Sequence, residues 1–386
     1  MEEPYLVPDY YPAFSCKMGD CRRPCCEGWP ISVSMKDYFH LMGVECSPEL
    51  RRRLDGGLHL SLHPTPDAYA QILPNYNGVC PLHMEDGRCA LHAECGGDSL
   101  AAVCRLYPRG VRNGDDRECS CSNSCEAVIE LLLHHPEPLT FITITNDYGL
   151  PDMPPRKHHF NTEGREQAIR LWLIRQLQRR EYPLPQRLLL LGQALHAMEE
   201  ALLAHDDARV DALLRGEVVI PAPVLPVHSR ENLLRGLEAV EKMLDTLDQR
   251  SNSIREYGEE ALRYLSGSDA YARYETASAR FSALIPQWET WLEHLLINHM
   301  YFVQFPFQDR PVPLRDEYLS LVAVYTLLRC LLVGCLATEG DAMRAVDVAA
   351  AGFRLVDPTS FDLYAAPLLR ELGCDDWPHI RLLVSL

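Results

Sequence analysis

Beyond residue 125 the chain nearly runs out of cysteine: of fifteen, only Cys330, Cys335 and Cys374 lie in the last 261 residues. That excludes a general cysteine bias, and it excludes the evenly stapled disulfide scaffold of a small secreted protein. Basic residues are also scarce, with 37 Lys and Arg against 54 Asp and Glu and a formal net charge of −17. Phosphate binding needs a basic face, so nucleic acid is not expected as the main partner. The deficit is shared along the chain, with 12 basic against 17 acidic residues in 1–125 and 25 against 37 in the rest. Such acidity keeps a protein soluble and would also attract a lysine-bearing substrate. The opening MEEPYLVPDYYP has neither the basic start nor the apolar stretch of an export signal. We therefore expect a cytoplasmic protein with reduced thiols, and a monomer. The longest apolar run, residues 319–337, carries Arg329 in its middle and follows Arg315, Asp316 and Glu317. It reads as a buried core helix rather than a membrane span. No glycine-rich phosphate loop stands between a strand and a helix, Asp55-Gly56-Gly57 included. No repeat period is found.

What is present is a concentration of sulfur. Twelve cysteines fall within residues 1–125, and Cys16, Cys21, Cys25 and Cys26 fall within eleven positions. Cys80 and Cys89 follow, then Cys95 and Cys104, then Cys119, Cys121 and Cys125. Thiolates are soft ligands, and in a reducing compartment such a grouping points to zinc or an iron–sulfur cluster. The spacing is not that of a zinc finger or ribbon, and the sulfurs are too many for one ion. Adjacent Cys25 and Cys26 suit two atoms of a cluster, or two sites, better than one metal atom. The C-x3-C-x2-C loop of radical enzymes is not met, because Gly28 stands where its third cysteine would be. The bacterial ferredoxin run is absent as well. Cys46, Cys330, Cys335 and Cys374 read as small buried hydrophobes.

The chain is expected to be mainly α. Residues 1–135 form an irregular cysteine-rich metal module, with short helices at 35–42 and 99–107 and an apolar helix at 126–134. Residues 136–161 are a proline-rich connector with a β-branched strand at 141–145. Residues 162–386 form an all-α array. Its expected helices begin near residue 162, run from 185 to 216, start after a Ser229 cap, and then occupy 269–285, 286–304, 314–337, 341–355 and 364–372.

At the cysteines a family resemblance enters. Tyr11-x2-Phe14-x-Cys16-x4-Cys21-x3-Cys25-Cys26-x-Gly28-Trp29 resembles the opening of the flagellin lysine-N-methylase family, FliB. So do Gly78-Val-Cys80-Pro-Leu-x3-Asp86-Gly87-x-Cys89 and Ser99-Leu100-x3-Cys104-Arg105-x-Tyr107-Pro108-Arg109. Ser124-Cys125-Glu126 is similar to the family's Ser-Cys-Pro-Glu step without its proline, and Asn298-x2-Tyr301-x3-Phe305-Pro306-Phe307 resembles a later segment. The shorter cysteine pattern also resembles zinc- or iron-chelating domains of the C-x2-C-x2-CC type. The FliB resemblance implies S-adenosylmethionine as methyl donor, a 4Fe–4S cluster, and surface lysines of flagellin as acceptors. It implies Cys16, Cys21, Cys25, Cys26, Cys80, Cys89, Cys104 and Cys125 as metal ligands, and leaves Cys95, Cys119 and Cys121 outside its pattern.

Lysine methylation needs a neutral amine, so a base or a desolvating pocket is required. Tyr107, Tyr301, His299 and Asp86 are the polar candidates within the matched segments. Arg105 and Arg109 flank Cys104 and are candidates to bind the cofactor, facing an anionic cluster or the donor's carboxylate. The rival reading is a non-catalytic zinc- or iron-binding module with a helical interaction domain.

Overall fold

Apolar residues at helical spacing govern the chain after residue 165. The computed structural model describes residues 2–27, 30–114, 116–150, 160–226, 229–247, 252–308, 312–357 and 361–386. Gly28, Trp29 and the connector prolines Pro151, Pro154 and Pro155 lie outside the described residues. Sixteen α-helices among the described residues make the chain largely α, as expected. Helix Leu314–Cys335 is their axle. Every residue from Glu317 onward in it is buried. It packs against seven other helices: Leu184–Leu203, Arg230–Leu247, Asn252–Leu265, Ala270–Leu284, Ala342–Val356, Phe361–Glu371 and Trp377–Val384. A helix enclosed in this way has no wet face, which accounts for its apolar run. Arg329 is accommodated there by donating to Ser278 Oγ at 2.7 Å and to the Leu386 carbonyl at 3.3 Å. Its guanidinium also lies 4.3 Å from the Trp288 ring centre. Hydrogen bonds and a ring face offset much of the cost of burying that charge.

Several boundaries differ from expectation. The helix expected over 185–216 is two, Leu184–Leu203 and Asp207–Leu214. His205 takes a left-handed φ of 53°, and Asp206 caps the second helix by accepting from the Arg209 amide at 3.0 Å. The short carboxylate satisfies one of the amides left free where the second helix starts. Helices Asn252–Leu265 and Trp377–Val384 were not anticipated. Ser229 does cap Arg230–Leu247, accepting from the Asn232 amide at 3.3 Å.

The N-terminal third holds more regular structure than its composition suggested. A four-stranded sheet runs in the order Arg109–Arg112, Glu118–Cys121, Glu3–Pro8, Phe141–Asn146. Its central pair is parallel and its outer pairs are antiparallel. The expected 141–145 strand is thus an edge strand, with Phe141 opposite Pro8. A three-stranded antiparallel sheet joins Ile31–Val33, Ala70–Ile72 and Leu58–Leu60. Strands this short carry too little alternation to be read from sequence.

Buried apolar residues form two clusters. The smaller gathers Val33, Leu41, Leu50, Leu54, Ile72 and Leu91 beneath the cysteines. The larger holds the helices and also takes in Tyr5, Val7, Tyr10, Tyr11 and Phe14. Helix Trp288–Phe302 is the seam between the four-stranded sheet and the helical array. Asn298 donates to the Cys121 carbonyl at 2.8 Å and accepts from Tyr10 at 2.7 Å, while Tyr301 donates to the Leu6 carbonyl at 2.9 Å. A buried ion pair, Arg170 to Glu118 at 2.7 Å, ties helix Glu166–Leu177 to the same sheet. Removing one partner of such a pair strands a buried charge. Glu118→Ala is therefore expected to lower stability by about 3–5 kcal/mol. The double change Glu118→Leu, Arg170→Met should cost markedly less, as chemical denaturation of both variants will show.

Candidate functional site

Residues 16–26 carry four cysteines and no helix or strand, so contacts from elsewhere must fix them. The main one is Glu126, buried at the first turn of helix Glu126–His134. Its carboxylate accepts from the amides of Arg22 at 3.2 Å and Arg23 at 3.0 Å and from Lys17 Nζ at 2.8 Å. Burial works to raise its pKa, but these bonds outweigh burial and hold the carboxyl below its usual range. Helix Ala342–Val356 adds an ion pair from Asp347 to Arg22 Nε at 2.8 Å, and Arg354 donates to the Arg23 carbonyl. On the far side Gly87, at φ 84°, lies against Gly19 so closely that a Cβ would collide with the Gly19 carbonyl. That approach seats the first cysteine loop on the Cys80–Cys89 turn, and the Cys80 amide donates to the Cys26 carbonyl at 2.8 Å.

Cys16, Cys21, Cys25, Cys26, Cys80, Cys89 and Cys104 line one cavity of about 310 Å³. All fifteen cysteines are free thiols. Cys125, the eighth expected ligand, is not in the lining, but its thiol lies within electrostatic range of Cys21 and Cys25. Cys25 is the common neighbour, since charge on it acts on Cys21, Cys26, Cys80, Cys89, Cys104 and Cys125. Among the described residues no three Cys, His, Asp or Glu side chains converge on a point as a cage for one ion would. The seven sulfurs lining the cavity exceed the four ligands of a single zinc site.

Protonation follows from burial. Desolvation pushes Cys21 and Cys80 up to about 11 and Cys125 up to about 12. Cys89 and Cys125 immediately precede helices and receive backbone N–H groups that favour the thiolate, yet burial prevails at both. Cys25 is the exception. The Cys26 thiol hydrogen-bonds to it and, with help from Arg354, holds it below the usual thiol range.

The remaining candidates scatter. Cys46 and Cys95 are neighbours beside the smaller core. Cys119 and Cys121 are fully buried in strand Glu118–Cys121, with the Cys119 thiol 3.3 Å from the Tyr11 hydroxyl. Cys330, Cys335 and Cys374 lie in the larger core. Asp86 is exposed and paired with Arg88 at 2.6 Å, and Tyr301 is a seam residue. Arg105 is exposed and lines none of the three cavities described here. Arg109 lies 4.8 Å from the Phe14 ring centre and lines a second cavity, of about 480 Å³. That cavity shares Ile31, Val103 and Tyr107 with the cysteine cavity, and Phe302 and Asp357 with a third of about 230 Å³. Sequence reasoning missed Glu126 as an anchor, and it missed Ser122, Arg354 and Asp357. Glu126 and Ser122 each follow a cysteine directly, whereas nothing in the sequence around Arg354 or Asp357 marks them.

The third cavity and the seam helix lie largely in a segment with known relatives. Residues 170–351 match the FliB lysine N-methylase C-terminal domain. Over that segment the chain is similar to the FliB family. Comparison with curated proteins and with solved structures gives no match. The FliB domain contains the axle and the seam helix with Asn298, His299 and Tyr301, whereas the cysteine cavity is built from residues that precede it.

Two outcomes are expected here. Serine at Cys25 or Cys104 should abolish metal retention. Alanine at Cys330, Cys335 and Cys374 together should leave it intact at modest cost in stability, by elemental analysis and thermal melting. Second, a metal entering this cavity must displace protons from thiols that burial keeps protonated. Uptake should release protons and tighten as pH rises, which titration calorimetry in buffers of differing ionisation enthalpy will measure.

Proposed function

We propose that this protein is a cytoplasmic, monomeric protein-lysine N-methyltransferase that uses S-adenosylmethionine and acts on surface lysines of flagellin. The carrying observation is the FliB lysine N-methylase domain over residues 170–351, set against a cavity lined by seven thiols. A 4Fe–4S cluster suits that cavity better than a lone zinc, because seven thiols line about 310 Å³, more than the four ligands one zinc takes. The eight cysteines of the family pattern would hold it, and iron–thiolate bonds would cross-link chain segments that share little core of their own. The neighbouring cavity of about 480 Å³ is of small-molecule size and is the proposed donor site. There Arg109 would bind the donor's carboxylate. Neither nucleic acid nor a membrane is needed for this activity.

The methyl acceptor is a protein, so docking on the helical array would supply remote binding energy to orient the amine. Anaerobically purified protein is expected to show a broad absorbance that dithionite bleaches. With methyl-labelled S-adenosylmethionine it should label folded flagellin at a higher kcat/KM than a peptide carrying the same lysine. A colourless protein with stoichiometric zinc and no transfer to flagellin would instead establish the metal-binding module.

A further inference from the structure

The third cavity has the shape and chemistry of a slot for an alkyl ammonium group. Leu321, Val324 and Val356 give it apolar walls suited to an aliphatic stem, and Phe302, Phe305 and Phe361 add ring faces. The ionisable groups sharing it with His299 come from three other elements. They are Arg112 from strand Arg109–Arg112, Glu317 from the axle, and Asp357 from the end of helix Ala342–Val356. Two carboxylates to one guanidinium suit a cation, and Arg112 is engaged in donating to the Phe302 carbonyl at 3.1 Å.

His299 and Asp357 form a pair, with Nδ1 2.9 Å from Oδ1 and side chains only 10% and 3% exposed. A carboxylate on Nδ1 keeps the proton there and leaves Nε2 as the basic nitrogen, on a residue that lines the cavity. The pair does not stand alone. Ser122 Oγ donates to the second oxygen of Asp357 and lies 2.6 Å from Ser124 Oγ, which lies 3.0 Å from the Tyr107 hydroxyl. Tyr107 lines both the cysteine cavity and the 480 Å³ cavity. A run of four side chains, Asp357, Ser122, Ser124 and Tyr107, thus connects the imidazole to the residues lining the other two cavities.

We propose that the third cavity receives a lysine ε-ammonium and that His299 is the base that deprotonates it, with Asp357 as its positioning residue. This rests on the methyltransferase reading. The ammonium gives a proton to Nε2, and the freed nitrogen pair attacks the methyl carbon of a sulfonium donor in the adjoining cavity. The new N–C bond forms as the C–S bond breaks, with that electron pair leaving on sulfur as a thioether. The products are a methylammonium and an imidazolium paired with Asp357, which returns its proton to water when the product leaves. The two cavities share Phe302 and Asp357 in their linings, so the amine and donor sites adjoin there.

The test has two arms on the full chain. In the first, n-butylammonium is titrated in while the His299 imidazole is followed by NMR. A saturable shift that is absent in His299→Gln is expected, and no shift in the wild type overturns the site. In the second, methylation of folded flagellin is measured for the wild type, His299→Gln and Asp357→Asn, with donor affinity and melting temperature as controls. His299→Gln should lower kcat by about 100-fold or more. KM for flagellin and donor affinity should change little, and the acidic limb of the kcat–pH profile should vanish. Asp357→Asn should lower kcat less and move that limb. Wild-type kcat with an intact limb in His299→Gln would overturn the proposal while leaving the methyltransferase reading standing. If the wild type methylates no flagellin yet butylammonium shifts His299, the flagellin reading falls and the amine site stands.

Discussion

Glu126 stands at two boundaries at once. It is the first residue of helix Glu126–His134, where free amides favour negative charge, and it is the floor beneath the loop carrying Cys16, Cys21 and Cys25. That loop has no ladder of backbone hydrogen bonds and little apolar surface of its own. Its thiols can meet those of Cys80, Cys89 and Cys104 only if the backbone at Arg22 and Arg23 is held, and Glu126 holds both amides. A buried carboxylate with three donors is a rigid anchor, because releasing any one leaves charge poorly solvated. Asp347 and Arg354 reinforce the anchor from the helical array. The cysteine-rich part is therefore not a separable bead, since its first cysteine loop is fastened to the side chains of two helices.

How much of this was legible varies by element. The gathering of the cysteines was, because thiols at short spacing in the sequence start out close together, and seven of the eight line one cavity. The axle was legible from its apolar run, and the cap at Ser229 from its residue type. Asp206 and Asp376 cap helices in the same way, yet neither was read, since each sits in a segment whose apolar pattern continues or is brief. The strands of three to six residues are defined by their partners, and Glu3 pairs with Asn146 across most of the N-terminal third. Asp357 and Ser122 lie 235 positions apart, and only the tertiary fold brings them together.

The seam helix shows how one short segment serves two tasks. Asn298 and Tyr301 are three residues apart, so they share a face, and both bind the sheet. His299 is turned away from that face and meets Asp357 instead. One face thus fixes the helix while the adjacent one is left for chemistry. A shift of the helix along the sheet would break both bolts before it moved the imidazole, so the bolts set the precision of the pair.

The placement of strand Glu3–Pro8 has a consequence for the newborn chain. The strand lies between Glu118–Cys121 and Phe141–Asn146, and its Leu6 carbonyl takes the Tyr301 hydroxyl. At a ribosomal pace of about 5–20 residues per second, Tyr301 appears roughly 15–60 s after the strand it secures. The strand is thus fully seated only long after it is made. Through that interval the thiols just downstream stay uncovered, without the Arg354 and Asp347 contacts that will later fix their loop. The cradle of thiols therefore takes its shape only once the helix that carries Asp347 and Arg354 has been made and docked.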